Sequence, residues 1–311
     1  MIGDSITNFS HPRPLTAGDK IRFVSPTSKP NRNDIEGAAE LLRSWGFEVD
    51  FGQHAFEELN YLAGTDEQRI ADLNAALNDP NVRAIFATRG GKGSYRIADK
   101  IDFDAAKRDP KSLVGFSDIT AIHLLMAKHG IGGGIHGAIS VEDWEPPDEP
   151  RGLSLRELLT ASHDALLHTS DDVETSQLTS SGRTQGILVG RNLDMVAACA
   201  GWALPNMRGR ILFLEAIGVF LGQIDRQLAM LTKAGHFDGL VGFALGQFKD
   251  IRPSGSLTIN DLLREYLEPY GIPILGGLPL GHENPAQRIP LCFATEIDCE
   301  NKLIRVRRGS N

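Results

Sequence analysis

The residues that could do chemistry begin with Ser117, which lies where the sequence changes period. Residues 113–116 form a short apolar run typical of a buried parallel strand, and apolar residues recur at helical spacing over 119–126. Ser117 is therefore predicted between the carboxyl end of a strand and the amino end of a helix. Open α/β sheets bind ligands at that edge, and free backbone N–H groups there can hold an oxyanion. A serine nucleophile fits this position, and so does a helix cap formed by Ser117 or Asp118.

Two residues in the second half of the chain could complete a catalytic site with Ser117. Glu215 ends a predicted apolar strand over residues 210–215, where a carboxylate is costly unless it is paired or functional. A solvent-facing glutamate at a strand end is the alternative. His282 lies in a loop punctuated by glycine and proline directly after another predicted strand, and such loops often carry function. An imidazole with a pKa near ~6.5 can accept the proton of a serine, and a carboxylate can fix its tautomer.

A glycine-rich loop over residues 89–94 follows the predicted strand at 82–88. Three glycines in four positions allow the backbone to approach a ligand closely or to adopt positive φ. The spacings of the common phosphate-binding and dinucleotide-binding motifs are absent. A ligand-binding loop and a tight turn without a ligand therefore both remain open.

Strands and helices alternate along the first half, which predicts right-handed parallel units. Thr65 and Gln68 have the spacing of a capping box at the start of one helix. An acidic, proline-rich stretch follows residue 140, and we place a domain boundary near residue 160. Residues 94–100 are predicted to start a further helix. The second half continues with elements that include a helix over 192–202 and a strand over 273–278, and it ends in a predicted hairpin over 291–298 and 302–307. We expect an α/β fold with domains at 1–160 and 161–311.

Bulk properties exclude several classes of protein. The chain has 311 residues, 41% of them apolar, and a net charge of −8, which argues against a general nucleic-acid binder. Its three cysteines are scattered, so neither a disulfide framework nor a zinc site is expected. No secretory signal and no uninterrupted apolar stretch of spanning length are visible. The sequence predicts a soluble cytoplasmic protein that binds neither nucleic acid nor membrane.

A series of motifs, in order along the chain, resembles the LD-carboxypeptidases, the muramoyltetrapeptide carboxypeptidase family, whose relatives include peptidases that give immunity to microcin C. The motifs are Arg89-Gly90-Gly91-x-Gly93-Ser94, the stretch from Gly115 to His123, His136-Gly137, the stretch from Ile211 to Glu215, Ile224-Asp225-Arg226 and Gly281-His282. The resemblance covers nearly the whole chain, from about Gly18 to Ile304.

The resemblance implies a serine peptidase with a triad of Ser117, Glu215 and His282. It also implies an amino-terminal parallel-sheet α/β domain with the nucleophile elbow and a smaller, β-rich carboxy-terminal domain that carries Glu and His. Homodimers are usual in the family, and neither metal nor cofactor is expected. Its typical reaction cuts an L,D bond of cytoplasmic murein tetrapeptide and releases D-alanine during peptidoglycan recycling. The backbone N–H groups of Gly91 and Asp118 are our candidates for the oxyanion hole.

Substrate recognition is less constrained by the sequence. Arg89 or Arg96 could bind the free carboxylate of a carboxypeptidase substrate, or could pair with Asp or Glu of the fold. Where the family commonly has tyrosine this chain has Lys92, and its second-half glycine motif contains Arg191, so both residues could change what the pocket accepts. Ala216 and Asp194 are further departures.

Two alternative functions remain on this reading of the sequence. The same triad could act on a peptide-antibiotic conjugate, with Trp144 stacking on an aromatic ligand. The fold could also serve a peptide-binding protein without catalysis.

Overall fold

Two β-sheets organise the chain in the computed structural model, which describes residues 9–137, 154–252, 255–282 and 287–309. The strands are β1 (Lys20–Val24), β2 (Glu48–Phe51), β3 (Val82–Ala87), β4 (Ser112–Gly115), β5 (Gly134–His136), β6 (Ala165–His168), β7 (Arg183–Asn192), β8 (Arg210–Ile217), β9 (Gly242–Lys249), β10 (Ile274–Leu275), β11 (Ile289–Pro290), β12 (Ala294–Asp298) and β13 (Leu303–Val306). The α-helices are α1 (Arg32–Ser44), α2 (Asp66–Asn78), α3 (Phe103–Arg108), α4 (Thr120–Lys128), α5 (Leu155–Thr160), α6 (Leu193–Ala198), α7 (Leu221–Lys233) and α8 (Ile259–Leu267).

The first sheet has the strand order β11-β5-β4-β3-β1-β2. Its neighbours pair in parallel except for β11, which is antiparallel to β5 and comes from the second half of the chain. The parallel pairing of β1 with β2 confirms the predicted strand–helix–strand unit at the start of the chain.

The second sheet has the order β10-β9-β8-β7-β12-β13-β6. Strands β7 to β10 are parallel, whereas β12, β13 and β6 add antiparallel pairs at one side. The predicted closing hairpin is thus confirmed as β12 and β13. Together the two sheets give the expected mixed α/β fold.

One continuous apolar cluster joins the two sheets. Phe86 of the first sheet and Phe213 of the second are both fully buried within it. The ring of His136, at the end of β5, contacts Phe213 edge-on with 5.9 Å between centroids. Because His136 pairs with Gly115, the last residue of β4, the two sheets meet next to the residues that follow β4. Burial of one large apolar side chain of this kind contributes roughly 1.5–3 kcal/mol to stability.

Local sequence signals explain several helix boundaries. The predicted capping box of α2 is confirmed, because Thr65 Oγ1 accepts from the Gln68 backbone and Gln68 accepts from the Thr65 backbone. In α1 the buried residues Ile35, Ala38, Ala39 and Leu42 recur at helical spacing, and the helix ends before Gly46.

Some predicted boundaries are wrong. Residues 94–100, predicted as a helix, form two short 3₁₀ turns, and the predicted strand at 273–278 is reduced to the two residues of β10. The predicted helix at 192–202 is reduced to α6, because β7 extends to Asn192 and residues 199–203 form turns. In the described part of the chain no helix has the length and apolar character that a membrane span requires.

Candidate active site

Ser117 lies at the strand-to-helix junction that the sequence predicts. One residue, Phe116, separates it from the end of β4. Ser117 begins a single 3₁₀ turn, Ser117–Ile119, that leads into α4. Its φ of 55° is in the left-handed region, which a serine adopts only at a cost of order 1–3 kcal/mol. This strained, sharp turn is the geometry of a nucleophile elbow.

The glycine-rich loop after β3 packs directly against the elbow. A Cβ atom at Gly90 would lie 2.9 Å from Ser117 Cβ, so this contact requires a glycine. Gly91 follows with a φ of 113°. The loop therefore brings its backbone next to the serine.

Asp118 does not cap the following helix, and neither does Ser117. The 3₁₀ turn and α4 both lack a side-chain cap, so the helix-cap alternative is wrong. Instead the buried carboxylate of Asp118 accepts a hydrogen bond from the Ser94 backbone N–H at 2.7 Å. The backbone carbonyl of Asp118 accepts one from Ser94 Oγ at 2.6 Å. Burial raises the pKa of the Asp118 carboxyl, while the bonds from Ser94 oppose that rise. Asp118 thus ties the glycine-rich loop to the elbow.

Glu215 and His282 form a hydrogen-bonded pair. His282 Nδ1 donates to Glu215 Oε2 at 3.0 Å. Glu215 is 0% exposed, so the expectation of a solvent-facing strand end is wrong. β8 continues to Ile217, and its register with β9 shifts between Leu214 and Ala216, which places a bulge at Glu215. Bulges commonly re-aim a side chain beside an active site.

The His282 ring also lies beside the elbow. Phe116, which precedes Ser117, contacts the ring with 5.6 Å between centroids and an interplanar angle of 62°. Because Nδ1 is bound to Glu215, Nε2 is the nitrogen that remains to accept a proton. Within the described residues the Ser117 hydroxyl and the imidazole are not hydrogen-bonded to each other. Such bonds often tighten only in a substrate complex.

Two backbone donors are available at the elbow. Within the described part of the chain, neither the Gly91 N–H nor the Asp118 N–H donates a hydrogen bond to another protein group. These are the two predicted oxyanion donors. An oxyanion hole requires unpaired backbone donors of this kind.

A cavity of about 570 Å³ opens beside Ser117. The ends of β7 and β8 and the loop after β3 all contribute to its wall, so carboxyl ends of parallel strands from both sheets meet there. Its polar lining side chains, besides Ser117 and Asp118, are Lys92, Tyr95, Asn192, Asp194, Gln223 and Gln227. Of the sequence-predicted substrate contacts, the structure brings only Lys92 to this cavity.

The other predicted substrate contacts lie outside the cavity lining. Arg96 forms an ion pair with Asp66 at 2.9 Å, which is the alternative that the sequence left open. Arg89 is exposed and donates to the Lys29 carbonyl at 3.1 Å. Arg191, which the sequence suggests could change what the pocket accepts, is fully buried and does not line the cavity. Trp144 lies outside the described residues.

Sequence reasoning missed most of the cavity wall. Asp194 Oδ1 accepts from the side-chain amides of Gln223 at 3.0 Å and Gln227 at 2.5 Å. The two glutamines are four residues apart on α7, and this polar i,i+4 pair on a helix with a buried face is the signal that could have identified them. All three cysteines are buried, and burial raises the pKa of Cys199 and Cys292 to about 12 and that of Cys299 to about 11, which disfavours the reactive thiolate.

Both halves of the chain match known proteins. Residues 21–137 match the LD-carboxypeptidase N-terminal domain, and residues 185–297 match the LD-carboxypeptidase C-terminal domain. The chain is 32% identical to a putative carboxypeptidase of Synechocystis sp., over 94% of this chain and 95% of that protein. It is 29% identical to a probable murein peptide carboxypeptidase of Bacillus subtilis, over 96% and 94%.

A solved structure of the microcin C7 self-immunity protein MccF, in the apo state of an inactive mutant, has the same fold. Its TM-score is 0.81 at 25% identity, and the match covers 96% of this chain and 99% of that one. The two domain matches, the near full-length relatives and the shared architecture lead to one conclusion: the chain belongs to the LD-carboxypeptidase family of peptidases.

Proposed function

We propose that this peptidase is a serine carboxypeptidase that cuts an L,D-peptide bond and releases the terminal D-alanine of murein tetrapeptide. The observation that carries the proposal is the hydrogen bond between His282 and the buried Glu215, beside the strained elbow of Ser117. The substrate class comes from the B. subtilis relative, which is named a probable murein peptide carboxypeptidase.

In the first half of the reaction, Ser117 Oγ attacks the carbonyl carbon of the L-centred residue while His282 Nε2 accepts the hydroxyl proton. Glu215 stabilises the resulting imidazolium through the bond to Nδ1. The tetrahedral oxyanion accepts from the N–H groups of Gly91 and Asp118. Loss of one such donor typically costs about 2.7–4 kcal/mol of transition-state stabilisation.

In the second half, the carbon–nitrogen bond breaks and His282 gives its proton to the leaving amine of the D-amino acid. Water then attacks the acyl-enzyme, with His282 accepting a proton from it. The ester bond breaks, the proton returns to Ser117 Oγ, and the shortened peptide leaves.

The free carboxylate of the substrate needs a positively charged partner. Lys92 lines the cavity, and no carboxylate in the described residues forms an ion pair with it. We assign Lys92 to this contact. Arg89 can contribute only from outside the lining, and Arg96 is already engaged by Asp66.

The test is incubation with murein tetrapeptide, followed by mass spectrometry of the products. The wild type is expected to release D-alanine, and Ser117→Ala is expected to lose about 10³-fold or more of that rate. Ser44→Ala, which removes an exposed hydroxyl from α1, is the matched control and should retain full activity. Undiminished turnover in Ser117→Ala would exclude Ser117 as the nucleophile.

A second candidate keeps the same chemistry and changes the substrate. The structural match to MccF favours an immunity peptidase that acts on a microcin C-like aminoacyl-nucleotide conjugate. Adding such a conjugate to the same assay separates the two substrates. A non-catalytic peptide-binding protein would instead bind tetrapeptide and release no product in either arm.

The division at residue 160, a homodimeric state and a cytoplasmic location belong to the same proposal. The two family matches end and begin on either side of residue 160, which supports the division. Sedimentation velocity would test the homodimer, limited proteolysis the boundary, and cell fractionation the location.

A further inference from the structure

Arg191 occupies an unusual position at the end of β7. It pairs with Leu214 of β8, one residue before Glu215, and its φ is 134°, in the region that favours glycine. Gly190, before it, also has positive φ, and a Cβ there would lie 2.3 Å from the Phe213 carbonyl. A large side chain is thus held in a conformation that its backbone disfavours, which requires compensation by its contacts.

Those contacts reach across to the first sheet. Arg191 Nη2 donates to the Gly115 carbonyl at 3.0 Å, two residues before Ser117. Arg191 Nη1 lies 2.5 Å from His123 Nδ1, on the helix that follows the elbow. One guanidinium therefore binds both the strand that enters the elbow and the helix that leaves it.

The His123 ring extends this connection in a defined tautomer. His123 Nε2 lies 2.9 Å from the Leu113 carbonyl, and because a carbonyl only accepts, Nε2 carries the hydrogen. Nδ1 is then the acceptor for Arg191. Burial and the charge of Arg191 hold the pKa of His123 well below its usual value, so the ring is neutral.

The register of β7 and β8 also places Arg191 beside the Glu215–His282 pair, because its partner on β8, Leu214, directly precedes Glu215. Glu215 is fully buried, and its Oε1 has no hydrogen-bond partner within the described residues. Burial lowers the pKa of Arg191 to about 9, while the charge of Glu215 opposes that shift, so the guanidinium stays protonated at neutral pH. A buried carboxylate needs such a countercharge. The other titratable or charged groups around this region are His123, His136, His282 and Arg288.

We propose that Arg191 is a positioning residue: it fixes β4 and α4 so that Ser117 meets His282, and it supplies the countercharge of Glu215. The proposal rests on the proposed function, because it takes Ser117 as the nucleophile. It replaces the expectation that Arg191 alters the pocket with a role behind the elbow.

The experiment uses Arg191→Met, Arg191→Lys and Arg191→Gly in the full chain. Methionine removes the hydrogen-bond donors and the charge of the guanidinium, whereas lysine keeps a positive charge. Glycine removes both the donors and the charge and in addition relieves the strained φ. The matched control is Arg83→Met, which removes a partly buried arginine bound to Asp109 near the opposite end of β4. The readouts are the labelling rate of Ser117 by a fluorophosphonate, kcat and KM on tetrapeptide, and their pH profiles.

Arg191→Met and Arg191→Gly should each lower the labelling rate and kcat about 10- to 100-fold with KM little changed, since a misplaced nucleophile loses orientation rather than binding. Arg191→Lys should retain more activity than either. The acid-side limb of the kcat/KM profile should move to higher pH in Arg191→Met and Arg191→Gly, because removal of a buried positive charge favours the protonated state of a nearby site. Arg83→Met should leave labelling and the pH profile unchanged.

Two results would overturn the proposal. One is an Arg191→Gly variant whose labelling rate, kcat and pH profile equal those of the wild type. The other is an equal loss of labelling in Arg83→Met, which would reduce the role of Arg191 to stability. A wild type that is never labelled at Ser117 overturns the proposed function itself, which is a separate and distinguishable failure.

Discussion

The carboxylate of Asp118 binds the backbone N–H of Ser94 at 2.7 Å and so joins the glycine-rich loop to the nucleophile elbow. Both candidate oxyanion donors, Gly91 and Asp118, therefore belong to one hydrogen-bonded unit. The contact positions a charged group in a buried site, and burial raises its pKa.

Asp118→Asn should gain stability relative to the wild type as the pH rises. The folded-state pKa of Asp118 lies above its unfolded value of about 3.9. Protonated Asp118 therefore contributes fully to the free energy of unfolding below a pH of about 3.9, and this contribution is lost as the pH rises through the folded-state pKa. Urea unfolding of both proteins across acidic to neutral pH would measure the difference in unfolding free energy.

Asp102→Asn is a control with the opposite sign. Asp102 caps α3, and its bond from the Ala105 N–H lowers its pKa, so its contribution appears above the unfolded pKa and is lost in acid. Asp102→Asn should therefore lose stability relative to the wild type as the pH rises. If the unfolding free energies of the two variants, relative to the wild type, changed with pH in the same direction, the opposite pKa shifts of Asp118 and Asp102 would be contradicted.

The elbow and the Asp118 contact differ in how far the sequence predicts them. The change of period at Ser117 depends on local pattern, and the structure confirms the strand-to-helix junction. The capping preference of Asp118 is equally local, but Ser94, 24 residues away, offers a buried partner. Non-local partners of this kind override propensity.

Glu215→Gln should lower kcat about 10³- to 10⁴-fold while preserving the fold. An amide that donates to His282 Nδ1 would place the ring hydrogen on Nε2, which then cannot accept the serine proton. Steady-state kinetics with tetrapeptide measures the loss. Glu157→Gln, in the capping box of α5, is the control and should keep kcat unchanged. A loss of less than tenfold in Glu215→Gln would remove Glu215 from the catalytic pair.

The burial of Glu215 could not be predicted from its own strand. The sequence predicts an apolar strand with a terminal carboxylate, and both a buried and an exposed glutamate satisfy that pattern. The outcome depends on the bulge against β9 and on His282, 67 residues further along. The position of Arg191 depends in the same way on the approach of the first sheet.

Gly90→Ala should lower kcat about 100-fold, since the added Cβ would meet Ser117 Cβ at 2.9 Å and displace the side chain of the proposed nucleophile. The loss should appear equally in fluorophosphonate labelling, which does not depend on the peptide. Gly222→Ala is the control, because a Cβ there meets nothing within 4 Å and the residue lies in α7. That variant should keep full activity. Unchanged labelling in Gly90→Ala would exclude close packing of the loop on the serine.

Asp194→Asn should weaken the selection of substrates that carry an amine near the scissile bond. Gln223 and Gln227 both bind Asp194 Oδ1, and no cation in the described residues pairs with this carboxylate, although it lines the cavity with Ser117. A charged hydrogen bond of this kind is worth about 1.5–3 kcal/mol, which corresponds to about a 10- to 150-fold change in KM.

The measurement compares two tetrapeptides, one with a free side-chain amine at the third residue and the other with that amine acetylated. The wild type should have the lower KM for the free amine, and Asp194→Asn should lose that difference while kcat stays the same. Asp225→Asn is the matched control, because Asp225 is also on α7 but binds Tyr266 and does not line the cavity. If both peptides have the same KM in the wild type, Asp194 does not select an amine. Its two glutamine partners would then serve only to hold α7 against α6.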